Sequence, residues 1–367
     1  MQTAAFHPSL IVAGPRPSAS RWTRFVRPEQ LYRQARVAAV ERQTEDAVSI
    51  TLAPMDDKPC DAAAGQYLTL IADVNGARIK RAYSLSQLPD QNAFTVTCKA
   101  IAGGRMSGHL NSALKAGDLL QFAGPSGEFL LPDSVPAHYA FVAAGSGITP
   151  IMAMLEQLLE IDRCRTPITL LFGNRREKDI LFRDRLEQLV SAHANLSVSY
   201  YLTRPGKRWK GQQGRISAEA LPQQPGTHYF LCGPDTFNSS LREALLNLGI
   251  SSTAISTEQF TQSSDERRPH PADPHPVQFR LADGSEHEVT VRPGESLLEA
   301  GLRGGVPLQF SCTMGGCGHC KVTIETGDVA TDEPNCLTES ERQAGQTLAC
   351  CAWPHSKAVV QVAETGL

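Results

Sequence analysis

The chain has no apolar run approaching the ~20 residues that a membrane-spanning helix needs, so no such helix is expected. Its N-terminus carries no basic segment leading into an apolar stretch, so export is not expected either, and the compartment read from this is the cytoplasm. In that reducing setting the ten cysteines are read as metal ligands and free thiols rather than disulfides, with Cys60, Cys98 and Cys164 free. There is no internal repeat and no basic helix suited to reading nucleic acid, which counts against a DNA-binding regulator. Residues 1–40 contain no lysine and a single acid against six arginines, with Trp22 and Phe25 among them. This stretch reads as an unstructured arm or a segment packed over the next domain; the alternative is a contact for a membrane surface or a membrane-bound partner.

What is present is ordinary for globular protein in bulk, 41% apolar and 20% charged, and 367 residues suggest about three domains. The formal net charge of −3 is unevenly spread: residues 276–367 hold 6 Lys and Arg against 12 Asp and Glu, a balance of −6, leaving +3 upstream. An acidic C-terminal domain suits docking to a basic protein face better than contact with nucleic acid.

Within that domain, Cys312, Cys317, Cys320 and Cys350 stand at the spacing C-x4-C-x2-C-x29-C. Gly315, Gly316 and Gly318 surround the first three, where bulkier side chains would stop the thiolates converging. The spacing resembles that of plant-type 2Fe-2S ferredoxins, which hold two irons through four thiolates and carry one electron at a time. Pro293 to Ala300 and Leu337 to Glu341 extend the resemblance along nearly all of residues 276–365. It implies a β-grasp domain with Cys350 as the fourth ligand, Cys351 a bystander and Cys336 spare. A Rieske centre would need a second imidazole where Glu339 stands, and structural zinc usually draws on two close cysteine pairs. His319 replaces the small residue usual between the second and third ligands, which leaves open a potential raised by hydrogen bonding to sulfur.

The remainder divides by pattern into an arm (1–32), a barrel (33–134), an α/β domain (135–260) and a linker (261–275) before the last domain (276–367). The linker is rich in Ser, Pro and charge, and fully extended would span roughly 45 Å, letting the C-terminal domain move between docking sites. Strands with turn signals such as Asn75-Gly76 and Gly117-Asp118, and one short helix near His109 to Ala113, predict an antiparallel barrel over 33–134. Apolar strands at Tyr139 to Ala144, Ile168 to Phe172, Leu196 to Leu202 and Tyr229 to Cys232 alternate with helices at Pro150 to Ile161 and Arg183 to His193. That alternation predicts a parallel sheet covered by helices.

Arg81-Ala82-Tyr83-Ser84, Gly104-Arg105-Met106-Ser107 and Gly124 to Phe129 occur in an order that resembles the flavin site of the ferredoxin-NADP reductase family. The resemblance implies FAD, with Arg81 on a flavin phosphate, Tyr83 against the isoalloxazine and Ser84 at its N5 edge. Gly104, Met106 and Ser107 would open a helix onto the pyrophosphate. Gly145-Ser146-Gly147-Ile148-Thr149-Pro150 links a strand to a helix, the setting in which a dinucleotide phosphate meets a helix N-terminus. The family implies nicotinamide contacts for Gly145, Gly147, Thr149 and Pro150, and for Cys232 and Gly233 after the last central strand. It also brings Glu258 and Phe260 to the flavin, with Phe260 covering the ring until nicotinamide displaces it. Arg175 and Arg176, with Arg204, Lys207 and Arg208, stand where guanidinium groups could hold a 2′-phosphate, favouring NADPH without excluding NADH.

The expected path is hydride from NAD(P)H to FAD, then single electrons to 2Fe-2S and on to a partner protein, with Ser84, Cys232 and Glu258 shaping hydride transfer. Family members with this domain order feed non-haem iron oxygenases, hydroxylases and fatty-acid desaturases, and the arginine-rich arm leans toward a membrane-associated partner. The enzyme is then a monomer in the cytoplasm, meeting the inner membrane face only through that partner. A reductase of a soluble hybrid-cluster or haem protein is the runner-up. A self-sufficient flavoenzyme oxidising a small molecule is the reading from another class, and it lacks a general base.

Overall fold

The computed structural model describes residues 31–89, 92–161, 163–260, 271–332 and 335–362. Three sheets follow one another along the chain, each with a buried core. Strands β1 (Arg33–Thr44), β2 (Ala47–Pro54), β3 (Tyr67–Val74), β4 (Ala77–Ser84), β5 (Phe94–Lys99) and β6 (Leu119–Ser126) pair antiparallel in the order β4-β3-β6-β1-β2-β5. A bridge between Leu85 and Val96 joins the two edges and closes the sheet into a barrel. Asn75 and Gly76 connect β3 to β4 with φ of 52° and 75°, the left-handed pair that a two-residue hairpin requires. Ile50, Leu68, Leu70, Phe94 and Phe122 fill the interior.

Helix α1 (Arg105–Ser112) begins four residues before the stretch at His109 picked out by pattern alone, and at Gly104 to Ser107, where the family resemblance puts its start. Gly103 and Gly104 hide its start from propensity, but Met106 and Leu110, one turn apart, plug the barrel and fix the helix from its first turn.

The second sheet is wholly parallel: β7 (His138–Ala144), β8 (Ile168–Asn174), β9 (Leu196–Leu202), β10 (Gln212–Gln213), β11 (Thr227–Gly233) and β12 (Ile255–Gln259), ordered β10-β9-β8-β7-β11-β12. Phe141, Leu170 and Phe230 face α2 (Ile148–Glu156) and α3 (Arg183–Ala192). Val142, Leu171 and Leu231 face α4 (Asp235–Asn247) on the other side. Helix α2 starts two residues ahead of the expected Pro150 and ends in a π-helical turn over Gln157–Ile161. Because the chain leaves β7 for β8 on one side and later lays β11 on the other, a crevice opens at the carboxyl ends of β7 and β11.

The third sheet, ordered β14-β13-β19-β15-β17, contains β13 (His275–Arg280), β14 (Glu286–Val291), β15 (Lys321–Thr326), β17 (Gln346–Leu348) and β19 (Ala358–Val362). Strands β16 (Val329–Thr331) and β18 (Ala352–Pro354) form a separate pair. Helix α5 (Leu297–Arg303) packs on this sheet and opens with a capping box between Ser296 and Glu299. Leu31, 4% exposed, lies in this C-terminal core with Tyr32 against it, and the Tyr32 ring also meets Arg78 and Lys80 of β4, so the end of the expected arm packs between the barrel and the third domain. Residues 1–30, and 261–270 of the expected linker, lie outside the described residues. Among the described residues no helix is long and apolar enough to cross a membrane.

Candidate functional site

At the crevice, Cys232 on β11 lies opposite Ala143 on β7. Gly145 turns the chain with φ of 57°, and Gly147 is pressed against β11 so closely that a Cβ there would come within 2.0 Å of the Cys232 carbonyl oxygen. Glycine at 147 is therefore a packing requirement. Thr149 donates its hydroxyl to the Ser146 carbonyl at 3.0 Å, and Pro150 stands in the first turn of α2, where an N-H has no helical partner. The amino end of α2 has no side-chain cap.

Asn174, the last residue of β8, is buried with both amide atoms unpaired. Next to it, the Arg204 N-H donates to the Arg175 carbonyl at 2.8 Å, placing two exposed arginines side by side at the strand ends. A buried, unsatisfied amide beside paired cations fits a phosphate-bearing dinucleotide. Arg176, read together with Arg175 from sequence, is turned instead onto Asp179, with bonds of 3.1 Å from both Nε and Nη2.

Ser84 at the end of β4 donates to Oε2 of Glu258 on β12 at 3.2 Å, across the boundary between barrel and parallel sheet. Glu258 is in turn the register partner of Cys232. Three residues separated by up to 174 positions thus form one corner. Burial pushes the Glu258 carboxyl up to about 8, with the Ser84 hydroxyl acting in the opposite sense, so the side chain is largely protonated at neutral pH. Burial also raises the Cys232 thiol, and the neighbouring Glu258 adds to the effect. Asn238 on α4, which sequence reading missed, ties the corner together by donating to the Gly233 carbonyl at 3.2 Å and the Glu258 carbonyl at 2.8 Å. Phe260 follows at the edge, 40% exposed.

On the barrel, Arg81 donates to the Lys80 carbonyl at 2.8 Å, and the Tyr83 phenol meets Cys98 of β5. Gly104 caps α1 with extended backbone. The Met106 side chain, 2% exposed, fills the barrel core. Ser107 Oγ accepts from Ile101 N-H and donates to the Gly104 carbonyl, each at 3.3 Å. The side chains of Met106 and Ser107 therefore serve the fold, and their backbone N-H groups are what the helix start can offer a phosphate.

The four predicted cysteines converge. Cys312 Sγ accepts from Gly316 N-H at 3.2 Å, Cys317 Sγ from Cys312 N-H at 3.4 Å, and Cys350 Sγ from Gly315 N-H at 3.2 Å. The thiol of Cys312 is in hydrogen-bonding reach of Cys317 and Cys350, and that of Cys350 reaches Cys320. Left-handed φ at Thr313, Gly315 and Gly318 curls the loop around the sulfurs. Four soft ligands ringed by backbone donors fit a 2Fe-2S cluster. Cys351 Sγ packs against Gly315, where a Cβ would come within 3.0 Å of it, and Cys336 is exposed. The His319 ring points at Glu128 of the barrel, Nε2 to Oε1 3.5 Å, while its backbone N-H is the group aimed at Cys317.

This loop faces the barrel. Thr69 on β3 donates its hydroxyl to the Cys312 carbonyl at 2.7 Å. A second bridge joins Tyr32 to Glu299 at 2.8 Å and Lys80 to Glu299 at 3.3 Å, with Lys80 also donating to the Tyr32 hydroxyl. Burial opposes the Glu299 charge, but Lys80, the Ser296 N-H and the Tyr32 hydroxyl outweigh it and hold the carboxyl at about 2. No local pattern announces partners more than 200 residues apart.

Three family models match the chain in order: an oxidoreductase FAD-binding domain over residues 35–130, an oxidoreductase NAD-binding domain over 141–243, and a 2Fe-2S iron-sulfur cluster binding domain over 281–355. A component of the 1,2-phenylacetyl-CoA epoxidase of Escherichia coli is 32% identical, over 88% of this chain and 95% of that protein. The ferredoxin reductase component of 3-ketosteroid-9-alpha-monooxygenase from Mycobacterium tuberculosis is 31% identical, over 89% and 94%. The solved structure of phthalate dioxygenase reductase superposes with a TM-score of 0.62 at 22% identity, over 92% of this chain and 100% of that one.

Proposed function

Since the chain belongs to the oxygenase reductases that carry FAD-binding, NAD-binding and 2Fe-2S domains in that order, we propose how its own residues serve the path from NAD(P)H to an oxygenase partner. The observation that carries the reading is the Ser84, Cys232 and Glu258 corner on one side of the barrel and the four converging sulfurs on another. Bound FAD supplies the conversion of a two-electron hydride into single electrons, which a 2Fe-2S cluster can pass on.

Arg81 holds a flavin phosphate, and the backbone N-H groups at Met106 and Ser107 hold the pyrophosphate, which Gly104 lets approach while its own N-H stays on the Ile101 carbonyl. Tyr83 borders the isoalloxazine while its hydroxyl is kept by Cys98. Ser84 turns its one hydroxyl hydrogen to the N5 edge and accepts from protonated Glu258, which keeps a negative charge out of that corner. Cys232 and Gly233 border the nicotinamide, Gly145 and Gly147 let the dinucleotide approach the backbone, and Thr149 and Pro150 fix the helix start behind it. Phe260 covers the flavin edge when no nicotinamide is there. Cys312, Cys317, Cys320 and Cys350 hold the irons.

The partner is an oxygenase component docking through a basic face on the acidic C-terminal domain. An oxygenase is preferred to a desaturase because the named relatives serve an epoxidase and a monooxygenase. Of the six arginines behind the reading of a membrane-associated partner, Arg33 pairs with Asp56 and Arg36 donates to the Gly117 carbonyl, and the other four lie outside the described residues.

Arg175 and Arg204 favour NADPH by holding its 2′-phosphate. Replacing both with alanine is expected to weaken flavin reduction by NADPH at least about tenfold, through KM, while leaving NADH use nearly unchanged. Steady-state reduction of cytochrome c with each dinucleotide measures this. Equal losses with both would remove the 2′-phosphate role, and failure of both dinucleotides to bleach the wild-type flavin would overturn the path.

A further inference from the structure

The hydroxyl of Thr69 is buried, 1% exposed, and its hydrogen bond to the Cys312 carbonyl at 2.7 Å ends on a residue of the cluster-binding set. Thr69 follows Tyr67 by two positions on β3, so both side chains leave the same face of the strand. Tyr67 is the register partner of Ser84, the residue bonded to Glu258. Its ring lies on Gly127, where a Cβ would come within 3.0 Å, and its phenol is in hydrogen-bonding reach of the Cys312 thiol, with Cys317 and Glu258 also near. Tyr67 and Thr69 on β3, with Ser84 beside Tyr67 on β4, therefore run from the hydride-transfer corner to the cluster loop.

Packing alone does not account for a hydroxyl at this position. Valine has nearly the same shape and an equal liking for strands, whereas a buried hydroxyl is unfavourable unless it is bonded. The bond it makes crosses from one domain to another. Among the described residues, two other bridges from the barrel to the C-terminal domain, Glu128 with His319 and Lys80 with Glu299, use charged groups, and the Tyr67 phenol reaches the Cys312 thiol rather than its backbone.

We infer that Thr69 is a positioning residue for electron transfer inside the chain: it fixes the Cys312 end of the cluster loop against the flavin-binding barrel, while Tyr67 fills the gap between the two redox sites. The inference rests on the electron path proposed above. No bond forms or breaks in the step it serves; the reduced flavin loses one electron and the oxidised cluster gains it, the electrons having arrived as hydride from the dinucleotide.

The test uses the full chain, loaded with FAD and cluster, as wild type, Thr69→Val and Thr69→Ser. On anaerobic mixing with NADPH, flavin bleaching is expected at the wild-type rate in all three. Cluster reduction is expected to slow roughly fivefold in Thr69→Val, the factor for one lost hydrogen bond, and to recover in Thr69→Ser. Hydrogen exchange at residues 312–318, measured without dinucleotide, rises in Thr69→Val and returns in Thr69→Ser. If valine does not assemble, Thr69→Ala gives the same two readings without added bulk. Wild-type cluster reduction or unchanged exchange in the variant lacking the hydroxyl overturns the role of Thr69, whereas an unbleached wild-type flavin overturns the electron path itself.

Discussion

Glu258 carries a proton at neutral pH because burial makes its carboxylate unfavourable, and a single hydroxyl from Ser84 does not compensate. The sign of the linkage follows. The unfolded chain releases this proton near 4.5 and the fold near 8, so the group costs stability progressively as pH rises through that window. For the reaction, hydride transfer to the flavin is expected to slow as pH passes about 8, when a carboxylate appears beside Ser84. Glu258→Gln should flatten that limb of the profile, measured as the rate of anaerobic flavin bleaching; a limb that persists in the glutamine variant assigns it to another group. The family motifs point to Ser84, Cys232 and Glu258, and the structure brings these three strand-end residues side by side. Asn238 was not readable, because a buried asparagine in a helix looks like any other until its amide is seen spanning Gly233 and Glu258.

At the level of elements, the parallel sheet was the most legible part of the chain. Strands that are apolar on both faces, such as Tyr139–Ala144 and Tyr229–Cys232 at the centre, stand out from the polar turns around them. For helix α1 the residue pattern alone points four residues too late because two glycines obscure its start and packing of Met106 decides it, whereas the family resemblance puts the start at Gly104 to Ser107, where it lies. The segment Leu31-Tyr32 was absorbed into an arm, although it bridges α5 and β4 through Glu299 and Lys80. The stability that the Glu299 charge lends this bridge is complete above about 4.5 and is lost as pH falls toward 2, so acid weakens the contact. A chain starting at residue 31 is expected to keep the C-terminal domain docked, and one starting at residue 33 to release it. Small-angle scattering should report a larger radius of gyration for the shorter chain alone; equal radii would show that the two residues do not hold the domains.

In the whole molecule the barrel is the middle station. Its β4 end meets the parallel sheet at Glu258, and its β3 face meets the cluster loop at Cys312. Domain order and chemistry were legible because each domain carries its own short motif. The arrangement of the domains was not, because it depends on side chains that are distant in sequence and individually ordinary, such as Thr69 and Lys80. That arrangement makes the central claim specific: electrons enter at the crevice, cross the barrel and leave through the cysteines. The most direct measurement is anaerobic mixing of NADPH with wild type and Cys350→Ser, following flavin absorbance and the paramagnetic signal of the reduced cluster together. Flavin bleaching should precede the cluster signal in wild type, and in Cys350→Ser the bleaching should remain while the signal is lost. A cluster reduced ahead of the flavin, or a signal that survives in Cys350→Ser, would contradict the account.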